Sequence, residues 1–419
     1  MKMDPTAWQG RGLVRVAIVF LLLIGLSGLA VANPVEDVFP LVSGNSAFAF
    51  ALYRQLSGTD ASANLLFSPY SISAALAMAY AGARAETEIQ MQDVLRFTLG
   101  QDRTHSAFQQ LRQLLMTQDR FQDNADSDPF RLRVANSLWR QIDYAFLESY
   151  ISTLQSFYGT DAFEADFAAD CEDARQSINA WVSDQTEEKI PELIQPGALS
   201  PATVLVLANA VYFQAAWEFP FSEEETSKLP FVLADGQTCL TPMMQQTAHI
   251  HYANTSYGDI VELGYANSRT TMTLILPDDQ MSLASFESSL SVEVFDEMLA
   301  SLEYRPVTLT LPKFSYRAAL SLSHTLAAMG MQAAFSDTAD FSGMDGTYDL
   351  LISEVIHEAF IVVDEKGTEA AAATAVIMAR GGLPETPRVV IFDRPFLFAI
   401  RDTETGTILF LGRVMDPSA

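Results

Sequence analysis

The side chains best suited to move protons near neutral pH are five histidines: His105, His249, His251, His324 and His357. His249 and His251 stand two apart, so in a strand they share one face and make half of a metal site. No third ligand lies nearby in sequence, and an ordinary strand face is the simpler account. The mature chain has no Gly-x-Ser-x-Gly elbow, no phosphate loop, no Gly-x-Gly-x-x-Gly and no His-Glu-x-x-His. With 52 Asp and Glu, any single carboxylate pair carries little information. Cys171 and Cys239 lie far apart in the chain, and a domain this large needs no disulfide framework, so two unpaired, largely buried thiols are expected. The chemistry-bearing residues thus point away from catalysis; neither a metal nor a cofactor is expected.

One segment asks for a different kind of explanation. Asp364 to Gly382 reads DEKGTEAAAATAVIMARGG. Alanine favours helix, and Glu369 to Thr374 alone reads as helical. With period two, Thr368, Ala370, Ala372, Thr374 and Val376 fall on one face, and Glu369, Ala371, Ala373, Ala375 and Ile377 on the other. Buried helix, buried strand and an exposed segment able to become a strand all remain open on these grounds.

The frame around these residues is that of a folded, acidic chain. Hydrophobic residues at 49% and charged residues at 18% fit a large core rather than disorder. The formal charge of −27, with no basic run after Arg15, argues against general binding to DNA, RNA or heparin. Lys2, Arg11 and Arg15 precede an apolar run from Val16 to Ala32 that ends in the small-x-small form of a signal-peptidase site. Residues 1–32 are therefore expected to be a cleaved signal, leaving a mature chain, 33–419, of charge −29 that is secreted (or periplasmic in a bacterium). An uncleaved anchor is the alternative, although seventeen apolar residues are marginal for a span. Asn254-Thr255-Ser256 is a glycosylation sequon, usable where the host glycosylates.

The first half reads as helices. Asn45 can cap one carrying Phe48, Leu52 and Leu56, and Ser68-Pro69 starts an alanine-rich one that stops at Gly82. Phe108, Leu111 and Leu115 mark a third, and Ile178, Trp181 and Val182 a fourth. The second half reads as strands at 204–213, 271–276, 307–311, 360–363, 389–392, 396–400 and 408–411, with one helix around Leu322 to Met329. Helices first and strands later give an α+β architecture.

Five strings in order resemble the serpins, the serine protease inhibitor family. They are Asn64 to Ser73 (NLLFSPYSIS), Leu207 to Phe221 (LANAVYFQAAWEFPF), Leu311 to Phe314 (LPKF), the segment from Asp364 to Thr374, and Asp393 to Phe398 followed by Phe410 to Arg413. The resemblance implies a serpin fold of three sheets and about nine helices with an exposed reactive loop. It implies that Ser68, Ser71, Asn209 and His357 form the shutter, a polar cluster beneath the main sheet. Trp217 would mark the breach, where insertion begins, and Lys313 would bridge to Glu365 near the hinge, worth ~0–1 kcal/mol if exposed. The hinge would comprise Glu365, Gly367, Thr368, Glu369, Ala370, Ala371, Ala372, Ala373 and Thr374. Its small side chains suit a strand that pushes between two packed strands, because overpacking costs ~1–3 kcal/mol per site.

The implied partner is a serine protease, with a cysteine protease as a variant; the inhibitor itself is expected to be a monomer without nucleic-acid or membrane partners. The protease attacks the loop, forms an acyl-enzyme, and is carried as Thr368 to Arg380 enter the sheet, ~43 Å at ~3.3 Å per residue. In the family that the chain resembles the attacked residue commonly lies fourteen places after the hinge glycine, which the resemblance puts at Gly381. Glycine anchors poorly, so Arg380–Gly381 is the expected bond and a trypsin-like enzyme the expected target. Met378 and Leu383 suit elastase- or chymotrypsin-like pockets instead. A non-inhibitory member acting as carrier, storage protein or chaperone is the main alternative, and an unrecognised α+β hydrolase a weaker one.

Overall fold

A serine followed by proline starts the helix around which the molecule is built. In the computed structural model, which describes residues 34–116, 130–160, 162–266, 268–368 and 386–418, the Ser68 side chain accepts a hydrogen bond from the Ser71 N–H while Pro69 opens the first turn. Every residue from Pro69 to Gly82 is buried, which explains the unbroken run of alanine and large apolar residues.

The helices are α1 (Pro34–Ser57), α2 (Pro69–Gly82), α3 (Ala85–Leu95), α4 (Gln101–Met116), α5 (Glu148–Thr153), α6 (Cys171–Gln185), α7 (Leu283–Ser289), α8 (Val292–Ala300), α9 (Ser323–Ala328) and α10 (Ser342–Asp345). The strands are β1 (Leu65–Phe67), β2 (Arg131–Gln141), β3 (Ala162–Ala165), β4 (Leu205–Ala216), β5 (Ser227–Val232), β6 (Thr238–Thr255), β7 (Gly258–Gly264) and β8 (Thr270–Pro277). They continue as β9 (Glu303–Pro312), β10 (Phe314–Ser321), β11 (Glu354–Val363), β12 (Gly367–Thr368), β13 (Arg388–Ile391), β14 (Phe396–Asp402) and β15 (Ile408–Val414). The expected α+β architecture with about nine helices is present among the described residues.

A six-stranded sheet runs β10-β11-β12-β4-β2-β3. The remaining strands join as one sheet because β6 serves two neighbourhoods. Met243 faces Ser227 of β5 and Pro312 of β9, whereas His251 faces Glu262 of β7 and Tyr304 of β9. Two of the three expected sheets therefore share this 18-residue strand. At one end of the larger sheet the short edge strand β1 pairs with β15, which lies between β1 and β14, with Leu65 opposite Arg413.

Helix α2 packs between β2 and β4 on one side and β15 on the other. Alternate residues of β4 divide between two cores: Leu205, Leu207, Val211 and Phe213 join the main one, while Val206, Ala208 and Ala210 meet Ile178 and Val182 of α6. A strand buried on both faces needs apolar residues at nearly every position, hence its long apolar run. Asn45 is not a cap. Helix α1 begins earlier, with Glu36 and Asp37 in its first turn, and the buried Asn45 amide instead donates to the Pro69 carbonyl at 3.2 Å. Cys171 and Cys239 are unpaired as expected, but half-buried rather than largely buried. No helix among the described residues is long and apolar enough to cross a membrane.

Candidate functional site

Strands β4 and β11 are parallel neighbours, Val206 to Tyr212 lying against Glu354 to Phe360. Beyond that ladder they part, and β12 fills the gap. Thr368 pairs antiparallel with Val363 on one side and Ala215 on the other. Thr368 is fully buried, and its hydroxyl hydrogen-bonds the Tyr265 hydroxyl at 2.7 Å. Gly367 is fixed by crowding as well as by its φ of +157°: a Cβ there would lie 2.2 Å from the Ala215 carbonyl oxygen.

The chain turns into this slot over a bed of residues from several elements. The Trp217 backbone N–H donates to the Lys366 carbonyl and its indole N–H to the Asp364 carbonyl, each at 2.9 Å. Its ring stacks on Tyr265 with centroids 4.7 Å apart. Lys313 Nζ lies 2.6 Å from Glu365 Oε2, and Thr226 donates to Oε1 of the same carboxylate at 2.8 Å. Burial pushes the Glu365 carboxyl up, but the hydrogen bonds from Lys313 and Thr226 outweigh it and hold the group below its ordinary value. The pair is thus anchored at a buried end rather than lying on the surface.

Six residues further along the slot from the Thr368 pairing, where β4 and β11 still touch, Asn209 is opposite His357. Both side chains face α2. The Ser68 N–H donates to His357 Nε2 at 3.1 Å, so the ring carries its proton on Nδ1, which bonds Asn209 Oδ1. The Asn209 amide nitrogen reaches Ser71 Oγ and Asn136 Oδ1, and Ser71 Oγ donates to that same Asn136 oxygen at 3.1 Å. Ser68, Ser71, Asn209 and His357 thus lie together in one hydrogen-bonded cluster. Asn136 is a fifth member that sequence reasoning missed; its only signal was an amide inside the apolar stretch 134–139. Tyr265 and Thr226 carried no signal at all. Glu369 to Thr374, Met378, Arg380, Gly381 and Leu383 lie outside the described residues. His249 and His251 do share an exposed face of β6, beside Tyr304. No cluster of three metal-ligand side chains occurs among the described residues.

Burial pulls the His357 pKa down from 6.5 to about 3. Neutral His357 therefore favours the fold above about pH 6.5, and this contribution fades as pH falls towards 3. Wild type is expected to lose on the order of 2 kcal/mol between pH 7.5 and 5 through this group. Urea unfolding at both pH values, compared with His357→Gln, measures it; an equal pH loss in the variant would refute the assignment. Asn136→Ala should cost about 1–3 kcal/mol in the same assay, since it strands a hydroxyl and an amide donor.

The arrangement defines a class of protein: an α+β fold whose main sheet is parted at one end by its own chain and tied shut further along by a buried polar cluster. The serpin (serine protease inhibitor) family model matches residues 43–417. An uncharacterised serpin-like protein of Thermococcus kodakarensis is 38% identical over 380 residues, 90% of this chain and 86% of that one. Leukocyte elastase inhibitor A of Mus musculus is 37% identical over 387 residues, 90% and 99% of the two chains. The crystal structure of human thyroxine-binding globulin complexed with its hormone superposes with a TM-score of 0.80 at 31% identity, covering 91% of this chain and 99% of the other. The chain belongs to the serpin family.

Proposed function

We propose that this protein is an exported protease inhibitor that acts as a suicide substrate rather than as a catalyst. The observation that carries the reading is the register of β12. Continuing the antiparallel pairing from Thr368, opposite Val363 and Ala215, sets residue 374 opposite both His357 and Asn209. An inserted strand would split the His357–Asn209 contact and place the Thr374 hydroxyl, on the same face as Thr368, within the polar cluster. Residues 368–377 would run alongside the present lengths of β4 and β11, ~33 Å of travel, turning one parallel ladder into two antiparallel ones. The alanines along this path need little room.

Arg380–Gly381 is the proposed reactive bond and a trypsin-like enzyme the proposed target, since the guanidinium fits a pocket floored by a carboxylate. A second reading, cleavage at Met378 or Leu383 by an elastase- or chymotrypsin-like enzyme, is favoured by the relatives named leukocyte elastase inhibitors. A binding rather than inhibitory role is favoured by the likeness to thyroxine-binding globulin. Export rests on residues 1–32 and predicts a mature N-terminus at Asn33.

Incubation with trypsin and with leukocyte elastase, followed by a denaturing gel, separates these readings. A band at the summed mass supports inhibition, and mass spectrometry of the released C-terminal peptide assigns the bond. Cleavage by both enzymes without any covalent band would overturn the inhibitory reading.

A further inference from the structure

Away from the slot, α2, α4, α6, β2 and the turn at 157–160 enclose a cavity of about 280 Å³. Tyr70, Phe108, Phe157 and Trp181 make much of its wall aromatic. Arg112, Asn136, Thr160 and Gln185 are the non-aromatic polar residues of that lining, and two of them stand out. Arg112 Nε is buried without a hydrogen-bond partner, and its guanidinium has no hydrogen bond or ion pair among the described residues. It lies beside Gly159, where a Cβ would come within 3.1 Å of Arg112 Nη1. Asn136 also lines the cavity. Its Oδ1 is committed to Ser71 and Asn209, whereas its Nδ2 makes no hydrogen bond among the described residues.

A partly buried cation against aromatic walls is unfavourable without a counter-ion. It is also unusual in a chain with 52 acidic and 25 basic residues, where carboxylates are abundant. A guanidinium presents a planar fork that matches a carboxylate in two-point contact. An apolar cavity of about 150 Å³ accepts benzene, so this one has room for about eleven heavy atoms on the same scale, a fused two-ring body.

We propose that this cavity binds a small organic carboxylate with a flat apolar body, its carboxylate on Arg112 and its rings among Tyr70, Phe108 and Trp181. Asn136 Nδ2 supplies a second donor. The site includes no residue of the loop, and binding there does not require that the protein inhibit a protease.

The test is titration of the full mature chain with 1-naphthoate, followed by calorimetry and by tryptophan fluorescence, with 1-naphthalenemethanol as the uncharged comparison. One saturable naphthoate site is expected. Arg112→Met should weaken naphthoate at least tenfold and leave the alcohol within about twofold. Arg112→Gln, which keeps a polar head, carries the same expectation should the methionine variant fail to fold. Absence of saturable naphthoate binding to the wild type overturns the proposal. So does unchanged naphthoate affinity in the folded variant, or equal loss of acid and alcohol.

Discussion

Replacing Thr374 by arginine is expected to leave the loop cleavable while lowering the yield of covalent complex about a hundredfold. Residue 374 reaches the shutter when the β12 register is continued, between His357 and Asn209 and facing α2. An arginine arriving there meets a neutral cluster already supplied with donors: the Asn209 amide, the Ser68 N–H and the His357 Nδ1–H. A buried charge left without its partner costs about 3–5 kcal/mol, and each 1.4 kcal/mol is tenfold. If that cost falls on insertion, hydrolysis overtakes trapping and the protein becomes an ordinary substrate. Thr374→Ser retains the hydroxyl and should keep the yield. Densitometry of complex and cleaved bands against the matched protease measures both; undiminished complex in Thr374→Arg would remove the register argument.

The second large effect concerns the protein alone. A single cut within 369–385 should raise the melting temperature by on the order of 10 °C or more. The cut frees Thr368 and the residues after it from the anchor at β13, so they can complete the strand that β12 begins. The gain comes from two antiparallel ladders replacing the parallel one at Val206 to Tyr212, together with burial of small side chains. At roughly 2.1 cal/mol/K per residue a chain of this size gains about 1 °C per kcal/mol, so the rise corresponds to on the order of 10 kcal/mol, about ten ladder hydrogen bonds at ~1 kcal/mol each. Nicked Thr374→Arg should show much less of the gain. Scanning calorimetry of intact and nicked samples decides the matter, and equal melting points would favour a binding role over an inhibitory one.

Much of this frame was legible because periodicity and burial coincide. The Ser68-Pro69 start and the alanine-rich run gave α2, and the apolar run at 204–213 gave β4, which is buried on both faces. Strand β9 alternates and ends at a proline, and the extent from Glu303 to Pro312 exceeds the expected 307–311 by four residues at its start and by Pro312 at its end. Strand β2 was not legible. Its sequence, RLRVANSLWRQ, mixes two faces that meet different cores with an amide that serves the shutter. Strand β6 was missed because its partners change along its length, so no single hydrophobic pattern spans it. Asn45 was misplaced as a cap because an asparagine inside a helix looks the same in sequence as one at its start; only the contact with Pro69 separates the cases. The shutter was named by resemblance, and Asn136 entered only when β2 was seen to run beside β4.

The pairing of Leu65 with Arg413 has a consequence for how the molecule is made. The β1 residues emerge early in synthesis, yet the strand they pair with, β15, is translated only after every other strand described above. Arg413 is itself buried and reaches Glu287 and the carbonyls of Asp60 and Ala63. Both walls of the slot, β4 and β11, are complete on the ribosome before this strand exists. A nascent chain therefore holds β1 without its partner until β15 emerges, so this edge of the larger sheet cannot close during most of synthesis.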